Sequence, residues 1–476
     1  MMLSAFAASL TLALGQTSDT VASDTVASDA LAPEPPVRAR LSFTASDADF
    51  GAPDAFTRLH AALEARSPEL ASGLRAEAML SFFLNAVGSQ GVGIQDNASL
   101  VRLRYRPTSW ASREDLSLTV YPLSSTRLAM GYEQPVTWAR QAFPSIESSG
   151  EPALELRLTR QRWGAYAAVK SARVSNPLEL TVDRRLALFA GAGVDVTSAF
   201  RAELEATTVD RGVAPAPALL GEEQPVVARG VSGRVQWHQG APVGPNVDLS
   251  LYAGDPTFFE RFFEPELYPG GFAAEVSLEG SFVSQQLEAA EVARGEKDES
   301  ASAAALVARL KWDFLRVHAL AYYRTVTFIQ VDVPGFPPYQ ALPEDSNPRS
   351  EVSGSVGADY HFQQWGLTPG LLLRATMPAE FIASLGGNLG LADRVAVLQG
   401  RNALSILPRG ESRELVLTAK ATVRWDLGSV AGLVGEVFYT RDPNRTRFED
   451  DATGVGDFVR DDPTAVGGTL LLQARF

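Results

Sequence analysis

The chain has 476 residues, no cysteine, 45% hydrophobic and 21% charged residues, and a formal charge of −14. Disulfides, thiolate metal sites and a cysteine nucleophile are therefore excluded, and an acidic surface of this size disfavours nucleic acid as a partner. A mean hydropathy near zero excludes a bundle of apolar membrane helices, each needing about 20 apolar residues. It does not exclude a membrane barrel, whose alternating strands average to ordinary hydropathy.

Residues 1–16 carry an apolar run from Leu3 to Leu14 followed by small residues, which reads as a secretory signal cleaved near Gly15–Gln16. The n-region lacks Lys and Arg, so a buried helix or short anchor is the alternative. No cysteine follows, which rules out a lipoprotein signal. Residues 17–52 open on a Ser-Asp-Thr-Val-Ala repeat from Ser18 to Asp29 and continue through Pro33, Pro35 and Pro36. Such a stretch cannot bury a core and is expected to be a disordered linker.

Over 53–97 the pattern changes. Leu59, Leu63, Leu70, Leu74, Met79, Phe82 and Phe83 recur near a 3.6-residue period, and Ser67-Pro68-Glu69 supplies an N-cap with proline at the first helical position. This predicts one or two helices within 53–87, either periplasmic and able to dock a partner there or tucked into a barrel mouth. A first strand over 76–87 is the alternative.

From 98 to the end, period-2 alternation dominates. Val101, Leu103 and Tyr105 alternate with Arg102, Arg104 and Arg106, and Leu154, Leu156 and Leu158 with Glu155, Arg157 and Thr159. Ala202, Leu204 and Ala206 oppose Arg201, Glu203 and Glu205, and Val231, Val235 and Trp237 oppose Ser232, Arg234 and His238. Phe272, Val276 and Leu278 face away from Glu275 and Glu279, and Leu306, Leu310 and Trp312 from Arg309, Lys311 and Asp313. Val352, Val356 and Tyr360 oppose Glu351 and Asp359. The run from Glu414 to Asp426 sets Leu415, Leu417, Val423 and Trp425 against Glu414, Lys420, Arg424 and Asp426. It spans about a dozen residues, where a soluble strand takes about 5–6 and a tilted bilayer-crossing strand about 9–11.

Breaks near 315–316, 363–365 and 427–429 are tight, whereas 284–300, 332–349, 379–411 and 443–464 are long and rich in Pro, Gly, Asp and Glu. Short turns on one rim and long loops on the other suit a membrane barrel with periplasmic turns. The long stretch 255–269 falls on the short-turn side, so either a strand upstream is miscounted or an element is inserted there. Trp237, Phe272, Trp312, Tyr360, Phe362, Trp365, Trp425, Phe438, Tyr439 and Phe476 lie near strand ends and would form interfacial girdles.

The last strand places Leu470, Leu472, Ala474 and Phe476 on one face and Thr469, Gln473 and Arg475 on the other. In this it resembles the bacterial outer-membrane β-barrels, whose closing strand commonly ends in Phe behind alternating apolar residues. The resemblance covers 98–476. It implies an all-β fold, an antiparallel up-and-down transmembrane β-barrel of about 16 strands, within 14–18, after a short N-terminal helical segment. It also implies a Gram-negative outer-membrane location in contact with lipid, and Leu470, Leu472, Ala474 and Phe476 as a signal to the barrel assembly machinery.

If the apolar faces meet lipid, the lumen is lined by Arg102, Arg104, Glu155, Arg157, Glu203, Glu205, Arg234, Glu275, Glu279, Arg309, Lys311, Asp313, Glu351, Asp359, Glu414, Lys420, Arg424, Asp426 and Arg475. Such a wall either conducts small hydrophilic solutes and ions or cross-links and narrows the bore. The row Arg102, Arg104 and Arg106 either attracts anions or pairs with carboxylates next door. The acidic loop of Asp442, Glu449, Asp450, Asp451, Asp457, Asp461 and Asp462 is either solvated or a calcium ligand set, without EF-hand spacing. His60, His238, His318 and His361 are widely separated, and no nucleophile elbow, P-loop or zinc-protease motif occurs. The expectation is a porin-like, non-enzymatic channel without metal or cofactor. An export conduit for a surface polymer and a secreted β-sandwich or adhesin are the other readings.

Overall fold

A computed structural model describes residues 37–47, 56–86, 92–143, 150–176, 181–214, 224–241, 243–244, 247–252, 255, 257, 268, 270–289, 296–332, 341–383, 394–399, 403–450 and 456–474. The wall begins with β1 (Val37–Asp47), β2 (Phe56–Arg66) and β3 (Leu74–Ala86). A strand broken in two follows, β4 (Val92–Asp96) and β5 (Leu100–Tyr105), both paired with β3. It continues through β6 (Asp115–Tyr121), β7 (Ala153–Thr159), β8 (Trp163–Asn176), β9 (Thr181–Asp195), β10 (Phe200–Ala214) and β11 (Gln224–Gln239). Next come β12 (Phe272–Glu288), β13 (Glu296–Trp312), β14 (Leu315–Arg324), β15 (Glu351–Tyr360) and β16 (Leu367–Met377). Three short strands, β17 (Ala379–Ala383), β18 (Arg394–Gln399) and β19 (Ala403–Ile406), form a separate sheet. The wall resumes with β20 (Val416–Leu427) and β21 (Ala431–Arg441), and the hairpin of β22 (Thr446–Asp450) and β23 (Gly456–Arg460) precedes the last strand, β24 (Thr464–Ala474).

β24 pairs with β21 on one side and with β1 on the other, from Leu41↔Ala474 to Asp47↔Gly468. The sheet is thereby closed, which satisfies every strand edge where lipid could not. Taking β4 and β5 as one interrupted strand, the barrel has 18 antiparallel strands, not about 16. The two-sheet sandwich is excluded, because the apolar face is turned out. On β12, Phe272, Leu278 and Phe282 are 55%, 54% and 50% exposed, while Ser277, Glu279 and Ser281 between them are 2%, 1% and 5% exposed. Burying the polar face and exposing the apolar one is stable only where the outside is hydrocarbon.

Among the described residues of 53–97 no helix occurs; β2 and β3 occupy 56–66 and 74–86. On β2, Thr57, Leu63 and Ala65 point out and His60, Ala62 and Glu64 in. Leu59 and Leu63, four apart, fit a helix face and a strand face equally well, and alanines on both faces blur the alternation. The Ser67-Pro68-Glu69 cap serves the β2–β3 turn instead: Ser67 Oγ accepts the Ala76 amide at 2.9 Å and Glu69 accepts that of Gly73. The linker expectation also stops short, since β1 starts at Val37 and the barrel therefore begins there, not at 98. The signal over 1–16, the remainder of the linker, Arg475 and Phe476 lie outside the described residues.

Turns 67–73, 106–114, 160–162, 196–199, 313–314, 361–366 and 428–430 share one rim. Exposed Trp237, Phe272, Trp312, Tyr360, Trp365 and Trp425 ring that rim, whereas Phe438 points inward and is buried. Connections 122–152, 325–350, 378–415 and 442–463 share the opposite rim. The stretch 255–269, which the sequence leaves as either a sign of a miscounted strand or an inserted element, falls within the connection 240–271. That connection joins β11 to β12 on the short-turn rim and is an inserted element.

Candidate functional site

Three inserts enter the lumen and meet its charged wall. The first, 122–152, comes from the long-loop rim, and its backbone is held by wall side chains. The Gly131 amide donates to Glu205 at 3.0 Å, and the Tyr132 and Glu133 amides donate to the two oxygens of Glu279 at 2.8 and 2.7 Å. Lys170 Nζ donates to the Ala139 and Arg140 carbonyls at 3.1 and 2.9 Å, and Arg324 to Pro135 O at 3.2 Å. Amides removed from water require such partners. Gly131 has φ +85°, and a Cβ there would lie 2.7 Å from Glu279 Oε1, so glycine is required at this turn. Trp138 is fully buried, with Nε1 donating to Ser232 Oγ at 3.2 Å.

The second insert follows β11 at the short-turn rim, and its described residues 247–252, 255 and 268 meet the inner wall. Asp248 accepts from Lys420 Nζ at 2.9 Å and pairs with Arg374; Glu436 accepts the Leu249 amide at 2.9 Å and Lys420 at 3.1 Å. Tyr268 stacks on His361 with centroids 3.9 Å apart and planes 4° from parallel, and Arg316 lies over the same ring. Arg140 of the first insert reaches Asp255 of the second at 3.8 Å, so the two meet inside the barrel. The third insert is α1 (Val326–Asp332), whose Phe328 and Val331 pack in the same buried cluster as Ala301 and Ala303 of β13. Arg211 donates to Val331 O at 3.0 Å.

Most predicted lumen residues do sit on the inner face and are cross-linked. Arg102 reaches Glu77 at 3.8 Å, and Arg104 reaches Asp115 at 3.1 Å and Glu77 at 3.8 Å. The arginine row is thus paired, while Arg106 lies in a turn, donating to Ser112 O. Glu155 accepts from Arg157 at 2.7 Å, Glu203 from Arg234 at 2.7 Å and Arg201 at 2.9 Å, and Glu275 from Arg309 at 2.9 Å. Asp359 takes Arg316 and His318, each at 2.7 Å; Glu351 takes Arg324 at 2.9 Å, and Asp426 takes Arg424 at 3.2 Å. Lys311 is buried on the inner face. Two expectations are corrected. Asp313 sits in the β13–β14 turn with φ 51° and accepts the Gly271 amide, and Glu414 lies before β20, exposed, with Arg460 at 3.4 Å. In both cases the alternation runs past the end of the strand.

The histidines do not converge: His60 bonds Ser81 at 2.8 Å, His318 bonds Asp359, and His361 bonds Thr368 at 2.9 Å. The acidic loop disperses its carboxylates. Asp442 bonds Asn444, Asp457 bonds Arg394, Asp461 bonds Arg447 and Asp462 bonds Thr464. Burial raises the Asp442 carboxyl above its ordinary value. Sequence reasoning missed Asp248, Tyr268, Glu133, Arg140 and Lys170. Only Lys170 left a signal, as a charge set among the alanines of β8.

No protein-family model matches the chain, and no curated protein sequence does. In fold it is similar to OccAB1 of Acinetobacter baumannii, at 10% identity and a TM-score of 0.48 over 92% of this chain and 95% of that one. It is similar to OpdO of Pseudomonas aeruginosa at 12% identity and a TM-score of 0.45, with the same coverage of each chain. The third is OccK2 (OpdF) of the same organism in complex with glucuronate, at 11% identity and a TM-score of 0.44 over 92% of this chain and 96% of that one. Identities this low say nothing of what this chain carries.

Proposed function

We propose that the chain is an outer-membrane channel for small hydrophilic solutes or ions, with its short-turn rim in the periplasm and its long loops outside. The observation that carries this reading is the closed 18-strand wall with its apolar face outward and its charged face inward. Filling side chains occupy the interior of an eight-stranded barrel, whereas about 16–18 strands enclose an aqueous bore. Here the bore is narrowed by the inserts, so passage follows the surface between them and the paired charges of the wall. The inner-face charges Arg157, Glu275 and Arg309 keep part of their side chains exposed, and their mixed signs favour solutes carrying both hydrogen-bonding and charged groups.

Single-channel recording of the detergent-extracted, full-length protein in planar bilayers tests this. Discrete conductance steps are expected, small for the barrel's girth. A barrel that inserts yet never conducts would remove the channel reading.

A further inference from the structure

On the outer wall, Arg173 of β8 stands directly opposite Arg184 of β9. Both are exposed on the lipid-facing side. Like charges directly across a strand pair repel each other, so this arrangement is unfavourable without a counter-charge. Among the described residues neither arginine has a hydrogen bond or ion pair. The neighbouring carboxylates, Asp183 and Asp210, are both engaged by Arg185, at 3.1 and 3.3 Å. Arg229 of β11, opposite Thr208 and Ser284, is a third exposed arginine on the same side of the barrel, likewise without a partner among the described residues.

Their height on the wall fixes what they meet. Below Arg173 the outward residues of β8 are Ser171, Val169, Ala167, Ala165 and Trp163, and below Arg184 those of β9 are Leu186, Leu188, Ala190, Ala192 and Val194. Ten residues separate Trp163 at the short-turn rim from Arg173. At about 3.3 Å per residue and a tilt of about 40–45°, this is about 24 Å of height, matching the apolar band of about 25 Å in such barrels. The pair therefore stands where acyl chains end and lipid headgroups begin, on the long-loop side.

We propose that Arg173 and Arg184 form a binding site for a phosphorylated lipid headgroup of the outer leaflet, with Arg229 extending it along the rim. Two guanidinium forks converging on one phosphate give paired, charge-assisted hydrogen bonds and relieve the repulsion between them. The site rests on the proposed outer-membrane placement with the long loops outside, and is independent of whether the bore conducts.

The test is native mass spectrometry of the full-length, detergent-folded protein. The probes are lipid A, a bis-phosphorylated acylated disaccharide, and the same lipid stripped of its phosphates. The wild type should retain lipid A and release the dephosphorylated lipid. The double variant R173Q/R184Q should bind lipid A at least tenfold more weakly, and R173K/R184K, which keeps charge but not the fork, should fall between. Heat-modifiable gel mobility verifies that each variant is a folded barrel, and wild-type conductance of R173Q/R184Q separates this site from the channel. Equal retention of the two lipids, unaltered binding by R173Q/R184Q, or displacement of lipid A by millimolar inorganic phosphate would overturn the proposal.

Discussion

Asp248 stands between Lys420 and Arg374 with 1% of its side chain exposed. Removing one partner of a buried ion pair leaves the other charge desolvated and uncompensated, at a cost of about 3–5 kcal/mol. Asp248→Asn should therefore lower the urea midpoint of the folded barrel and, by freeing the insert of 240–271, enlarge single-channel conductance. If both stay at wild-type values, Asp248 does not hold the insert. Glu279→Ala should act from the opposite side, because it strips the Tyr132 and Glu133 amides of their acceptor. Glu279 and Lys420 could be placed on the inner face from sequence, since each sits in an alternating run. Asp248 could not, because its segment has no period and its partner Lys420 lies 172 positions away. A contact of that separation is set by the closure of the barrel, which no local pattern encodes.

At the scale of elements, the long-loop rim carries a small folded unit of its own. Val326 and Ile329 of α1, Phe381 of β17, Ala396 and Leu398 of β18 and Ile406 of β19 form one buried apolar cluster, and Phe458 of the β22–β23 hairpin packs against it. The hairpin is tied to this sheet by Asp457 on Arg394. The hydrogen bond from Arg394, and then that from the Phe458 amide, holds the Asp457 carboxyl below its ordinary value. A depressed folded value means the link is complete above the ordinary aspartate range, about 3.9, and is lost as pH falls through the lower folded value. Amide protection in 456–460, relative to the unstructured rate at the same pH, should therefore fall below about pH 4 in the wild type, and Asp457→Asn should show that lower protection already at pH 7. Protection that is flat with pH would mean that Phe458 packing alone holds the hairpin. The sequence marked 379–411 and 443–464 as long polar loops and concealed this unit, because its strands are only four to six residues long.

For the whole molecule, the decisive feature is that the first and last strands are neighbours. Ser46 Oγ and Thr469 Oγ1 lie 2.9 Å apart across that seam, 423 positions apart in sequence. The alternation over 98–476 and the lengths of the connections were enough to identify a barrel with a short-turn rim and a long-loop rim, and to single out 255–269 as either a miscounted strand or an insert. β2 and β3 were lost to a helical reading, because alanines dilute the alternation on β2 and on the outward face of β3, and β1 was lost to a linker reading. The two accounts make opposite demands on 37–97. If this stretch were the end of a linker followed by a docked helical segment over 53–97, removing it would leave a closed barrel. In the observed fold its removal deletes β1, β2, β3 and β4 and leaves β5 and β24 as open edges in lipid, where every unpaired backbone group costs several kcal/mol. A chain lacking 37–97 should therefore fail to acquire heat-modifiable mobility in detergent or vesicles, while the full chain acquires it. A truncated protein that still migrates as a compact barrel and resists external protease would overturn the 18-strand closure.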